Sequence, residues 1–275
     1  MTDRYAVFGN PIKHSKSPQI HSAFAEQTAH ALSYDAICVD EGGFPEAVNS
    51  FMQGPGKGLN ITIPFKQEAW QMAEVRSQRA ELAGAVNTLY RNAEGELCGD
   101  NTDGIGMVRD IVENNGGKIE GADVLILGAG GAVRGVLQPV LEQKPRRLVI
   151  ANRTASKAEL LADLVADLGD VEGCGFDALV GQQFDLVING TAASLQGEVP
   201  PLPDDLLKSA AWCYDMMYSA DVTAFCQWAQ DHNAEKSIDG LGMLVEQAAE
   251  SFYIWRGIRP ATQPVIATLR AALTP

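Results

Sequence analysis

The chain has 275 residues, 46% hydrophobic and 20% charged, an ordinary globular composition with enough apolar material for two cores. A net charge of −14 excludes the basic footprint of a nucleic-acid-binding protein. Any site for phosphate or carboxylate must therefore build its own positive field from Lys, Arg and backbone N–H groups.

The N-terminus, MTDRYAVFGNP, lacks the basic and apolar regions of a signal peptide, and no apolar run reaches the roughly 18 residues of a membrane span. Cys38, Cys98, Cys174, Cys213 and Cys226 are scattered, with no C-x-x-C pair. They read as free thiols in a reducing cytoplasm. His14, His21, His30 and His232 have no partner at metal spacing, so no metal site is expected.

Short β-type runs alternate with helical spacing almost throughout. Strands are expected at 5–9 (YAVFG), 34–39 and 58–64 (GLNITIP), and helices over 17–29, 46–53, 66–73 and 78–84. A hairpin is expected around Glu94-Gly95, joining 87–91 to 97–99. A helix follows from 103 to about 114. The pattern then becomes regular: strand 123–127 (DVLIL), helix to about 142, strand 147–151 (RLVIA), helix 157–168, and strands at 185–189 and 212–217. Continuous apolar strands separated by helices imply a parallel sheet covered on both faces. The tail, 241–273, reads as helical. Domain limits are expected near 102 and 239, giving 1–102 plus 240–275 as one domain and 103–239 as the other.

Strand 123–127 runs directly into Gly128-Ala129-Gly130-Gly131-Ala132 and then a helix. Gly128 permits a tight turn, Gly130 lets backbone approach a pyrophosphate, and the helix N-terminus supplies N–H donors. The third glycine of G-x-G-x-x-G falls at 133, which is Val133, so the motif is a variant and a ligand-free Gly-rich turn is its bland alternative. The next strand ends at Asn152-Arg153-Thr154, with Lys157 one turn on. NAD sites usually carry a carboxylate about there. Cations without one suit a 2′-phosphate, which points to NADP(H).

Further segments carry a resemblance. These are Ser15-Lys16-Ser17-Pro18; Asn60-Ile61-Thr62-Ile63-Pro64-Phe65-Lys66; Gly84-Ala85-Val86-Asn87-Thr88; Asp100-Asn101-Thr102-Asp103-Gly104; and Gly240-Leu241-Gly242-Met243-Leu244-Val245-Glu246-Gln247. Together with GAGGA and NRT, in order across nearly the full chain, they resemble the shikimate dehydrogenase family. The resemblance implies an α/β protein of two domains. An N-terminal α/β substrate domain is completed by C-terminal helices, and a Rossmann-like domain binds NADP. It further implies reversible reduction of 3-dehydroshikimate to shikimate by NADPH, a step of aromatic amino-acid biosynthesis.

By residue, the resemblance implies that Ser15 and Ser17 hold the substrate carboxylate. Thr62, Asn87 and Gln247 would bond ring hydroxyls with Asn60 nearby, and Tyr218 would close the site. Lys66 and Asp103 would stand at the reacting oxygen. Residues 128–132 would take the pyrophosphate, and Asn152, Arg153, Thr154 and Lys157 the adenosine phosphate end. Thr191, Met216 and Gly240 would border the ribose and nicotinamide. The domains would close to bring hydride and ketone together. A homodimer stays open, and neither nucleic acid nor membrane is expected as a partner.

Bland readings accompany these residues: helix capping for Ser15, Ser17 and Asp103, an exposed helix position for Gln247, a core tyrosine for Tyr218. The chain also departs from the family pattern. Asn189-Gly190-Thr191-Ala192 stands where Asn-Ala-Thr-Ser is usual, Gln78 where a carboxylate is, and Ala224 where Thr-Pro-Phe is. The rivals are a quinate/shikimate dehydrogenase using NAD and a non-catalytic NADP-binding sensor.

Overall fold

The computed structural model describes residues 2–273; the outer limits of the expected domains, 1 and 275, lie outside them. In chain order the elements are β1 (Asp3–Gly9), α1 (Ser17–Gln27), β2 (Leu32–Cys38), α2 (Phe44–Gln53), β3 (Gly56–Ile61), α3 (Lys66–Met72), β4 (Val75–Arg76), α4 (Gln78–Ala83), β5 (Thr88–Arg91), β6 (Leu97–Asp100) and α5 (Asp103–Arg109). Then come β7 (Asp123–Leu127), α6 (Gly131–Glu142), β8 (Arg147–Ala151), α7 (Ala155–Leu164), β9 (Val171–Cys174), β10 (Phe184–Asn189), β11 (Leu207–Asp215), α8 (Ala224–Asp231), β12 (Lys236–Ile238), α9 (Leu241–Arg256) and α10 (Gln263–Leu273). The chain forms two compact units. One runs up to Gly106 and resumes over Val245–Val265; the other covers Met107–Leu244 and resumes at Ile266.

The first unit holds a mixed sheet of order β2-β1-β3-β5-β6-β4. Successive side chains of a strand face opposite ways, so β1 feeds two cores. Ala6 and Phe8 join Phe44, Val48, Leu59, Phe65 and Leu89 on one face. Tyr5 and Val7 join Ile12 and Tyr34 on the other, where Trp255 of α9 packs. Trp255 stacks on Tyr5 with ring centroids 4.7 Å apart and donates its indole N–H to the Leu89 carbonyl at 3.2 Å.

The second unit holds a wholly parallel sheet of order β12-β11-β10-β7-β8-β9. The chain steps outward from β7 through β8 to β9, then returns to the other side of β7 for β10, β11 and β12. This is the doubly wound order, with its topological switch point between β7 and β10. Val124 and Ile126 face one core, Leu125 and Leu127 the other, which is why DVLIL is apolar without interruption.

The helix expected over 103–114 is α-helical only to Arg109, and Asp110–Asn114 form a π turn. The helical tail breaks between α9 and α10, where Gly257 adopts φ +69. Strands β9 and β12 and helix α8 were not foreseen from the sequence. Among the described residues, no helix is long and apolar enough to cross a membrane.

Candidate active site

In the first unit, β1 and β3 are parallel, and β5 and β6 each reverse direction, so four strand ends converge at one end of the sheet. They are the exits of β1, β3 and β6 and the entry of β5. Register places Asn60 opposite Thr88 and Thr88 opposite Asp100. The exits of β1 and β3 are tied by Thr62 N–H to the Phe8 carbonyl at 2.9 Å and Asn10 N–H to the Ile63 carbonyl at 3.0 Å. These converging chain ends deliver Ser15, Thr62, Lys66, Asn87 and Asp103 to the same end of the sheet.

Lys66 opens α3 directly after Phe65, which is fully buried and stacks on Phe44 at 4.8 Å. The Lys66 carbonyl accepts from Val86 N–H at 2.9 Å, fixing its backbone beside Asn87. Its Nζ donates to Asp103 Oδ2 at 2.6 Å. Asn87 Nδ2 donates to Asp103 Oδ1 at 2.8 Å, so both carboxylate oxygens are held. Asn87 Nδ2 also reaches Thr102 Oγ1 at 2.8 Å and Gln247 Oε1 at 3.2 Å. Asn87 Oδ1 accepts from Thr102 N–H at 2.9 Å.

Ser15 and Asp103 both stand at helix starts. The Asp103 carboxylate is engaged by Lys66 and Asn87. The N-cap position of α1 is Lys16, with no side-chain cap, while Ser15 Oγ only accepts from Ser17 N–H at 3.3 Å. Among the described residues, the Thr62 hydroxyl has no protein partner, and Lys13 and Lys16, flanking Ser15, have no ion-pair partner.

Asn60 is spent within the protein. Its Oδ1 accepts from Tyr34 OH at 2.7 Å and lies 3.1 Å from His21 Nε2. Its Nδ2 donates to the Asn87 carbonyl at 3.2 Å, Thr88 Oγ1 at 3.3 Å and Ser251 Oγ at 3.0 Å. Asn60 therefore fixes the Asn87 backbone from beneath.

Sequence reasoning missed the rest of this support: His21, Tyr34, Thr88, Thr102 and Ser251, and Arg79, which clamps Asp100 at 2.7 and 2.9 Å and Glu250 at 3.0 Å. One signal was available. Ser251 lies four residues past Gln247 on the same face of α9. Gly106 also belongs here, because a Cβ on it would sit 2.6 Å from the Gln247 backbone nitrogen, so a larger residue would displace that helix.

His21 is stacked on Tyr34 at 4.2 Å, and burial pushes its pKa down to about 3 against a partial opposing effect from Asn60. The unfolded chain therefore binds a proton near pH 6.5 that the folded chain refuses until about pH 3. Stability falls on acidification across that window. We expect urea unfolding of wild type to lose more stability between pH 6.5 and 4.5 than unfolding of His21→Gln. Parallel losses in the two proteins would contradict this.

In the second unit, β7 is followed by Gly128, whose φ of +105 demands glycine. Gly130 and Gly131 follow, and a Cβ on either would meet nothing within 4 Å, leaving room for a ligand against bare backbone. Helix α6 has no side-chain cap, so its first amides point outward unsatisfied by side chains. β8 is followed by Asn152, whose Nδ2 donates to the Thr154 carbonyl at 3.0 Å. Arg153 and Lys157 are exposed and, among the described residues, have no ion-pair partner; the first turn of α7 is also uncapped.

Thr191 donates to Asn189 Oδ1 at 2.7 Å, and Gly240 N–H donates to the Met217 carbonyl at 3.0 Å. Gly240 packs so tightly on the Met216 carbonyl that no Cβ fits. Tyr218 follows β11 in this unit, half-buried, its pKa raised by burial and then by Asp239. The residues present thus fit a dinucleotide with an additional phosphate.

Comparison with known proteins gives the same picture. The shikimate dehydrogenase substrate binding domain matches residues 7–89, shikimate / quinate 5-dehydrogenase matches 110–196, and the shikimate 5'-dehydrogenase C-terminal domain matches 240–270. A protein of Alkalilimnicola ehrlichii named shikimate dehydrogenase (NADP(+)) is 59% identical over 270 residues, 98% of this chain and 99% of its own. The chain belongs to the shikimate dehydrogenase family. Its fold matches the solved Ael1 enzyme of Pseudomonas putida with TM-score 0.94 and 46% identity, over 100% of this chain and 99% of that one. It matches Thermus thermophilus shikimate 5-dehydrogenase, solved with NADP(H) and shikimate, with TM-score 0.86 and 29% identity, over 99% and 100%.

Two of the departures from the family pattern have hydroxyl groups bonded close by. Ala192 lacks a hydroxyl, but Ser194 Oγ accepts from Asn189 Nδ2 at 3.2 Å. With Ala224 opening α8, Thr223 caps that helix through Cys226 N–H at 3.2 Å and donates to Asp215 at 2.7 Å.

Proposed function

We propose that the chain reversibly reduces 3-dehydroshikimate to shikimate with NADPH. The observation that carries this reading is the Lys66–Asp103 pair, 2.6 Å apart and held at the second carboxylate oxygen by Asn87. NADPH, when bound, supplies the hydride for the ketone carbon. Gly128, Ala129, Gly130, Gly131 and Ala132 would hold its pyrophosphate. Arg153 and Lys157, with Asn152 and Thr154, would hold the adenosine phosphate, and Thr191, Met216 and Gly240 its nicotinamide end.

Ser15 and Ser17 bind the substrate carboxylate in the field of Lys13 and Lys16. Thr62, Asn87 and Gln247 orient the ring through its hydroxyls. An ammonium has three donors and Asp103 takes one, so Lys66 keeps N–H groups for the oxygen on which negative charge develops. Lys66 stabilises that oxygen and delivers the proton. Asp103, held at both oxygens, orients Lys66 and the substrate. The free cysteines suit a reducing compartment, and we place the enzyme in the cytoplasm.

The test is isotopic. With NADPH deuterated at the transferring position, dehydroshikimate should yield shikimate carrying a single deuterium at the reduced carbon. Unlabelled product, or no product, would contradict the proposal.

A further inference from the structure

In the dinucleotide fingerprint the third glycine lets the helix after the loop lie close to the sheet. Here that position is Val133, fully buried in the core beneath α6. The Val133 side chain nevertheless lies against the sheet, and the residue facing it must leave room for it. Gly190, at the exit of β10, does so. A Cβ there would drive into Val133 Cγ2, well inside van der Waals contact, and would stand 3.1 Å from Met216 Sδ and 3.3 Å from the Leu127 carbonyl.

Gly190 also lies where three strand exits meet. Its N–H donates to the Leu127 carbonyl at 2.9 Å, and Met216 N–H donates to the Asn189 carbonyl at 2.9 Å. A Cβ on Gly128 would find Thr191 Cγ2 at 3.2 Å and the Gly190 carbonyl at 3.3 Å. The phosphate loop and the Thr191–Met216 rim are thus spaced through this one residue.

We infer that Gly190 stands in for the missing third glycine and, through Val133, is a positioning residue for the dinucleotide. The glycine has moved from the helix to the strand exit facing it. Valine in a helix is nearly confined to one χ1 rotamer, so Val133 cannot swing aside. A methyl at 190 must instead shift either the first turn of α6 or the Thr191 turn. Either shift changes the distance between the pyrophosphate donors and the rim. The inference rests on the nucleotide reading of this loop.

The test is a reciprocal pair of substitutions, with NADPH binding measured by calorimetry apart from turnover. Gly190→Ala should weaken NADPH binding about ten-fold and leave shikimate KM within about two-fold. Val133→Ala lowers Tm by leaving a cavity but should bind NADPH nearly as wild type does. In Val133→Ala/Gly190→Ala the added methyl should be silent, restoring binding to the Val133→Ala level. That comparison holds even if Gly190→Ala alone does not fold.

Wild-type NADPH affinity in Gly190→Ala, with or without a lower Tm, would overturn the positioning role. So would a double variant that binds about ten-fold more weakly than Val133→Ala. A wild-type chain that binds no NADPH would overturn the nucleotide reading and this inference together.

Discussion

Replacing Lys66 by methionine, which keeps the aliphatic stem and removes the ammonium, is expected to lower kcat by about 10²–10⁴-fold. KM for NADPH should stay within about two-fold, because Lys66 and the nucleotide-binding residues sit in different compact units. The size follows from the chemistry. Without the ammonium, the oxygen that becomes an alkoxide has neither its counter-charge nor its proton donor.

Asp103→Asn should cost less. The amide keeps the shape of the carboxylate and can still accept from one neighbour, and Lys66 remains. Because Asp103 acts mainly through Lys66, the double variant should be little worse than Lys66→Met alone. Additive losses would assign Asp103 a separate chemical step. A Lys66→Met enzyme with kcat near wild type would remove Lys66 from the proton path.

The second large effect concerns cofactor choice. Arg153→Ala and Lys157→Ala should each raise KM for NADPH by about ten-fold, and together by about a hundred-fold, with little change in KM for NADH. A charge-assisted hydrogen bond to phosphate is worth about 1.5–3 kcal/mol, and only NADPH offers the 2′-phosphate. Exposed and without carboxylate partners among the described residues, both side chains pay little to meet it. The wild-type preference should also weaken as salt rises, since both cations face solvent. Equal losses for NADPH and NADH would move these residues from discrimination to general support.

The second unit was the more legible in sequence. DVLIL and GAGGA are contiguous, and strand period, turn residues and helix start agree within a few positions, so β7, the loop and α6 could be read locally. What failed there was short or half-buried. β9 contains Gly173, a residue forced by the Ala158 backbone pressed against it, and β12 has three partly exposed residues. Neither carries an alternating apolar signal.

The substrate side was less legible because its contacts are long-range. Lys66 and Asp103 are 37 residues apart, and no local spacing announces their pairing. The family resemblance placed them together, and the convergence of β3, β5 and β6 explains why. Asn60 shows the limit of that route. The motif marked it as close to substrate, but both ends of its amide are taken by protein groups, one of them Ser251, 191 residues away. Hydrogen bonds of that reach leave no trace in periodicity. The charge of −14 likewise said only that a positive field must be local, and the proposed reading draws it from Lys13, Lys16, Arg153 and Lys157.

The most direct measurement is absorbance at the nicotinamide band, with shikimate and quinate each tested against NADP and NAD. Shikimate should reduce NADP with kcat/KM about two orders of magnitude above that with NAD. No reduction with shikimate under any pairing, or a preference for NAD, would contradict that expectation.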